Sequence, residues 1–376
     1  MNGSISKNKT TGKYDFIFDA GKDPLTGKRK QIKRRGFESK RAAMNEMTRL
    51  KAQVLENDFL DLNHLTYEKY MDEWFQERKF KLQHSTFEIH SIFYRNVIKP
   101  KLGHLKLQQV TPLQLQKFVN DLVNQSSYSA HTIHLVFRII SSSFKKAVIL
   151  KLIKSDPSIG ITLPKTRQRE FTVWSIEQVN FFISEAPKIA RLTRYYIAFL
   201  IAIFTGMRQG EILGLRWKDI DFATNTLYIK QTVTQNGEIK VGAKNEASVR
   251  SIHIPSKLAD ELKATKALIS DEKRLLGDKY HENDLVVCTL DGKPVIARNF
   301  RKEFYKVVEK VDLPKIRFHD LRHTHATILI HQNVNVKLIS ERLGHADIQT
   351  TLNTYSHVLP NMQKTVSDQL DKIIGV

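Results

Sequence analysis

His319-Asp320-Leu321-Arg322-His323-Thr324-His325-Ala326-Thr327 places a histidine and an arginine three residues apart, on one helical face, late in a 376-residue chain. Upstream stands Thr205-Gly206-Met207-Arg208-Gln209-Gly210-Glu211; downstream come Leu343-Gly344-His345 and then Tyr355. Arg208, His319, Arg322, His345 and Tyr355 thus form an ordered set of four cationic or hydrogen-bonding groups and one phenol. Cleavage of a phosphodiester needs such a set. The scissile phosphate gains charge on its non-bridging oxygens in the transition state, and two guanidinium forks are a suitable receptor for it. Tyr355 would be the attacking oxygen. A phenol with a pKa of about 10 is a weak nucleophile at pH 7, so the neighbouring arginines and protonatable histidines are expected to favour its phenolate.

Each of these residues alone has an ordinary explanation, since a single Arg or Tyr in so basic a chain is usually a surface charge or a core phenol. The ordered set is what points to chemistry. His319, His323 and His325 do not read as a zinc site, because no HExxH or cysteine-rich spacing accompanies them, and packing or capping accounts for His323, His325 and His331.

Composition agrees with a polyanionic partner. Sixty Lys and Arg against 39 Asp and Glu give a formal charge of +21 and a pI near 9.8, and neutralising phosphates releases condensed counterions. Nucleic acid is therefore the expected partner and a membrane is not: the longest unbroken apolar run, Tyr195 to Phe204, is ten residues, against the roughly 18 a spanning helix needs. That run reads as a buried core helix. Met1-Asn2-Gly3-Ser4 lacks the features of a secretory signal, so an intracellular location is expected. The one cysteine, Cys288, can form no intrachain disulfide and reads as a packing residue.

The length suggests two or three domains. Residues 1–57 form a small unit with 14 Lys and Arg against 6 Asp and Glu, a net of +8. Alternate aromatics in Lys13 to Asp19, a turn at Asp23-Pro24-Leu25-Thr26-Gly27, a basic return from Lys28 to Phe37 and a helix capped by Ser39 predict a three-stranded sheet with one helix. Lys28, Arg29, Lys30, Lys33, Arg34 and Arg35 would form a strand-borne cationic face able to enter a DNA groove. Residues 64–163 are expected to be all helical, with stripes such as Tyr67, Tyr70, Trp74, Phe75 and Ile133, Phe137, Ile140, Phe144, Val148, the last helix closing at Asp156-Pro157. Leu163 to Arg169 reads as a linker. Residues 172–376 are mixed α/β and mostly helical: Ser175 and Gln178 form a capping box, Asn236-Gly237 turns a hairpin within Thr226 to Ile254, and helices resume near Ser256.

Phe204 to Leu215 with Trp217, His319 to Thr327, and Leu343-Gly344-His345-Ala346 up to Thr354-Tyr355-Ser356-His357 resemble the two conserved boxes of the tyrosine recombinase (phage integrase) family. The N-terminal unit and the helical middle are similar to that family's arm-binding and core-binding domains. The resemblance implies that Arg208 and Arg322 clamp the phosphate, that His319 and His345 hydrogen-bond it and manage protons, and that Tyr355 forms a 3′-phosphotyrosyl bond. It implies that Glu211 buttresses the first arginine. It also implies a β-hairpin lysine as general acid for the departing 5′ oxygen: Lys244 fits this role, with Lys240 as the neighbouring alternative. Neither ATP nor a metal is implied, because the covalent intermediate conserves the phosphodiester energy.

The expected activity is site-specific recombination that integrates and excises a mobile element of a temperate-phage or conjugative-transposon type. It would act as a homotetramer on core- and arm-type attachment sites, through a Holliday junction, with accessory DNA-bending or excision factors, in the bacterial cytoplasm. A type IB topoisomerase-like relaxation and a non-catalytic DNA-binding regulator are the rival readings. The tail from Met362 to Ile374 places Met362, Val366, Leu370 and Ile373 on one helical face, for docking in cis or in trans.

Overall fold

The computed structural model describes residues 2–22, 29–55, 65–166, 171–190, 194–242 and 250–355, with Ser367, Leu370, Asp371, Ile373 and Ile374 near the end. Two compact units divide the chain, Met1–Gln168 and Arg169–Val376. The first contains two separate hydrophobic cores.

The N-terminal core lies beneath an antiparallel sheet of β1 (Gly3–Lys7), β2 (Tyr14–Lys22) and β3 (Arg29–Phe37), in that order, backed by α1 (Lys40–Leu55). Ser39 caps α1 through the Ala42 amide at 3.1 Å. Phe16, Phe18 and Ile32 share the helix side of the sheet with Ala43, Met47 and Leu50. Register corrects the expected cationic face. Ile32 pairs with Phe18 and Arg34 with Phe16, so Arg34 belongs to the helix side, where it is half-buried. Lys33 and Arg35 alternate to the open side and are exposed. Arg29 pairs with Asp19 at 2.7 Å. Lys28, the turn at Asp23 to Gly27 and the side chain of Lys30 lie outside the described residues.

The second core is all helical: α2 (Tyr67–Lys79), α3 (His84–Phe93) continuing through a π turn (Tyr94–Ile98) into α4 (Lys99–Leu102), α5 (Pro112–Asn124) and α6 (Ala130–Ile149). Pro112 opens α5 at its first turn, where a missing N–H costs nothing, and Thr111 with Gln114 completes a capping box. Tyr67 stacks on Phe144 at 4.9 Å and hydrogen-bonds Ser143, which ties α2 to α6. The last helix ends earlier than the sequence suggests. Lys151 takes a left-handed φ of 54°, and its amide and that of Leu152 bond Val148 O and Ala147 O at 2.9 Å. That paired closure stops α6 without glycine and before Asp156-Pro157.

In the second unit α7 (Ile176–Ala190) starts at the expected capping box: the Ser175 amide donates to Gln178 Oε1 at 2.9 Å, and Gln178 N to Ser175 Oγ at 3.2 Å. The apolar run forms α8 (Tyr196–Thr205), which is buried almost throughout and ends at Gly206, φ 65°. A short helix α9 (Gln209–Leu213) follows. β4 (Ile220–Asp221), β5 (Thr226–Ile229) and β8 (Arg250–His253) make one sheet; β6 (Gln231–Val233) and β7 (Ile239–Val241) make a hairpin that turns through Gly237. Then come α10 (Ser256–Leu276), α11 (Ala297–Lys310), α12 (Asp320–His331), α13 (Val336–Leu343) and α14 (Ile348–Tyr355). Trp174 is anchored at its indole by Pro314 O, 2.9 Å, and at its amide by Thr324 Oγ1. Cys288 is buried. No described helix is long and apolar enough to cross a membrane.

Candidate active site

The site forms where the end of α8, the start of α9, the start of α12 and the turn between α13 and α14 meet. Gly206 is the first requirement. Its positive φ suits glycine, and a Cβ there would stand 2.7 Å from both His325 Cδ2 and Leu343 Cδ2. This close approach lets Arg322 Nη1 donate to Gly206 O at 2.8 Å. Gly344, φ 68°, plays the same part opposite: a Cβ there would stand 2.6 Å from Arg250 Nη1, and its carbonyl accepts Arg208 Nη2 at 2.8 Å.

Glu211 organises the cations. Its carboxylate, 3% exposed, receives the Arg208 amide and Arg208 Nη1, both at 2.9 Å, and Arg250 Nη2 at 2.9 Å. Burial pushes the Glu211 carboxyl up, but the bond and charge of Arg250, with Arg208, outweigh it and hold the carboxyl below its ordinary value. Arg250 also donates from Nε to Arg342 O at 2.8 Å. Arg208, whose side chain is 39% exposed, therefore stands braced at one side with donors left over.

Arg322 is 4% exposed, and its Nη2 has no hydrogen-bond partner among the described residues. Burial first, and the charge of Arg208 second, pull its pKa down to about 9, so it remains a cation at pH 7. A buried guanidinium beside a second arginine, with an unsatisfied donor, is a receptor for an anion. Phosphate oxygens would supply the missing acceptor and oppose the repulsion.

Two histidines flank these arginines. His345 Nδ1 pairs with Thr351 Oγ1 at 2.7 Å, which leaves Nε2 for a ligand. Burial, then Arg322 and Arg208, bring its pKa down to about 4. His319 precedes α12 and keeps an exposed edge, yet desolvation of its ring and then Arg322 also lower it. Both rings are thus neutral at pH 7, each with one N–H to offer a phosphate oxygen.

Tyr355 ends α14 and is 2% exposed. Its hydroxyl lies 2.9 Å from His323 Nδ1. The phenolate expectation needs correcting for the protein without DNA: burial pushes the phenol up to about 12, and the opposing pull of Arg322 does not overcome it. His323 and Arg250 have no chemical role in the sequence pattern alone. The signal for His323 was its place next to Arg322 on a helix, but its partner is 32 residues away. His325 faces away from the phenol, with Nδ1 on Ile203 O at 2.8 Å and Nε2 near Arg342 Nε at 3.2 Å. Lys244 lies outside the described residues; Lys240 is exposed on β7, paired with Thr232. Among the described residues no three His, Cys, Asp or Glu side chains converge as a metal site.

Residues 175–362 match the phage integrase family, residues 4–54 an arm DNA-binding domain, and residues 66–123 the phage integrase N-terminal SAM-like domain. A tyrosine recombinase XerC-like protein of Caldanaerobacter subterraneus subsp. tengcongensis is 31% identical over 336 residues, 84% of this chain and 85% of its own. The ICEBs1 integrase of Bacillus subtilis is 27% identical over 372 residues, 98% and 99% of the two chains. Among solved structures, the Tn1549 transposon integrase in complex with a circular intermediate DNA superposes with a TM-score of 0.70 at 19% identity, over 81% of this chain and 99% of that one. A lambda integrase tetramer bound to a Holliday junction gives 0.59 at 17%, over 93% and 94%. These two likenesses show a shared fold.

Proposed function

The chain belongs to the phage integrase family of tyrosine recombinases, and from that membership we propose that it is a site-specific recombinase that integrates and excises a mobile element. The observation that carries the chemistry is the buried Arg322, whose Nη2 has no partner among the described residues, close to Arg208 and to the Tyr355 phenol. Two arginines held by backbone carbonyls and Glu211 are preorganised for a phosphate that gains charge as it is attacked.

In this reading Arg208 and Arg322 bind the non-bridging oxygens, while His319 and His345, both neutral, donate hydrogen bonds to them. Tyr355 attacks phosphorus and forms a 3′-phosphotyrosyl bond; the 5′ oxygen leaves with a proton from Lys244. A second DNA 5′ hydroxyl then reverses the reaction on a new partner, which preserves the bond energy. Glu211 orients Arg208.

We assign residues 1–57 to arm-type DNA, residues 64–163 to core-type DNA and residues 172–376 to catalysis. Linked binding modules raise the effective concentration of one site relative to the other. The tetramer on a Holliday junction seen for lambda integrase supports a tetrameric complex here, with accessory bending or excision factors selecting direction.

Incubation of the protein with two differently labelled duplexes, built from the DNA flanking its gene, tests this function. Recombinant strands carrying both labels are expected. Relaxation of supercoils without exchange would indicate a topoisomerase, and binding without cleavage a regulator.

A further inference from the structure

We infer that His323 is the base that takes the proton from Tyr355. The inference rests on the reading of Tyr355 as nucleophile. His323 Nδ1 stands 2.9 Å from the phenol oxygen, within the range a proton acceptor requires, and it makes the one hydrogen bond to that oxygen among the described residues. The two histidines of the motif are placed otherwise. His345 directs Nδ1 to Thr351, and His319 meets the His323 ring at 89°, its centroid 5.3 Å away.

The His323 ring is held in that aim. Phe171 stacks on it at 4.0 Å and 21°, and it is 9% exposed. Arg322 and His323 are consecutive on α12, so their side chains diverge by about a quarter turn. One helix start therefore delivers a phosphate clamp in one direction and a proton acceptor in the next.

The charges around the ring suit a base that works only with substrate present. It is faced by His319, Asp320, Arg322 and Arg317, by Tyr355, and, with a weaker influence, by His345. Burial and the positive neighbours bring His323 down to about 4, so the ring is neutral at pH 7; with its proton on Nε2, Nδ1 carries the lone pair toward the phenol. A phosphodiester bound to Arg208 and Arg322 sets negative charge against those cations and favours the imidazolium. In cleavage the proton passes from Tyr355 Oη to His323 Nδ1, the Oη–P bond forms, the P–O5′ bond breaks, and the 5′ oxygen takes the proton of Lys244. In rejoining, His323 returns the proton to the departing phenol.

The test measures single-turnover adduct formation by the full-length protein on a nicked suicide duplex made from the DNA flanking its gene. His323→Asn keeps a hydrogen-bond acceptor but cannot take a proton. It is expected to slow adduct formation by about 10²- to 10⁴-fold with DNA affinity unchanged. A fluorinated, more acidic tyrosine in place of Tyr355 is expected to recover at least about tenfold of that loss, and to recover nothing in Arg322→Ala. A His323→Asn rate within about threefold of wild type, or a loss that the acidic phenol does not relieve, overturns the assignment. Should His323→Asn fail to fold, the wild-type pH profile decides: a level rate from about pH 6 to 9 fits a histidine base, and a rate rising tenfold per pH unit means loss of the proton to solvent. An adduct that survives Tyr355→Phe would instead overturn the nucleophile.

Discussion

The carboxylate of Glu211 and the guanidinium of Arg250 form a buried ion pair, Nη2 to Oε2 at 2.9 Å, with side chains 3% and 8% exposed. Arg208 leans on the same carboxylate, so one acid holds both Arg208 and the strand behind it. Removing it would strand two cations. Glu211→Ala is expected to destabilise the C-terminal unit by about 3–5 kcal/mol, measured by urea denaturation at pH 7. The wild-type contribution also has a sign in pH. The folded carboxyl lies below its ordinary value of 4.5, so its stabilisation is complete above that value and is lost as pH falls through the folded pKa. Glu211→Gln is expected to flatten that acid limb; an unchanged limb would mean that the pair contributes nothing.

Gly206 and Gly344 fix how closely the arginines approach. Each sits at a positive φ with a neighbour inside 3 Å of any added Cβ. Gly344→Ala is expected to cost about 1–3 kcal/mol in backbone strain alone and to displace Arg250, lowering cleavage more than DNA affinity. Paired denaturation and strand-cleavage assays read both effects.

Thr351 is fully buried and holds His345 by Nδ1. Thr351→Val removes that bond, worth about 0.5–1.5 kcal/mol, and is expected to slow cleavage roughly tenfold while leaving equilibrium DNA binding intact. Equal rates for the two proteins would show that His345 needs no such brace.

On the N-terminal sheet, the open face belongs to Lys33 and Arg35. Lys33→Ala with Arg35→Ala is expected to weaken arm-type DNA binding and to reduce the salt slope by about two. Arg34→Ala is expected to leave the slope nearly unchanged, since Arg34 shares the helix side with Phe16.

Local patterns were legible in the sequence. The Ser175–Gln178 capping box, the Tyr195 to Phe204 core helix, the hairpin through Gly237 and the three strands with Ser39-capped α1 all depend on neighbouring residues, and the structure contains them. The boxes around Arg208, Arg322 and Tyr355 were legible as an ordered set. What was not legible lies in pairings across the chain: Arg250 with Glu211, 39 residues apart, His323 with Tyr355, 32 apart, and Arg322 with Gly206, 116 apart. Such contacts are created by packing and have no local signature. The elevated phenol of Tyr355 belongs here as well, because burial is a property of the fold. Arg34 was within reach of the sequence, since alternation from Ile32 assigns it to the buried face; its basic neighbours concealed it.

In the proposed reaction Tyr355 becomes covalently joined to DNA. Wild-type protein and Tyr355→Phe, each incubated with nicked suicide duplexes from the DNA flanking the gene, should differ in one respect: wild type yields an SDS-resistant, protease-sensitive adduct whose DNA-bearing peptide contains Tyr355, and the variant binds DNA without one. An adduct of equal yield in the variant, or one mapped to another residue, would mean that Tyr355 is not the nucleophile.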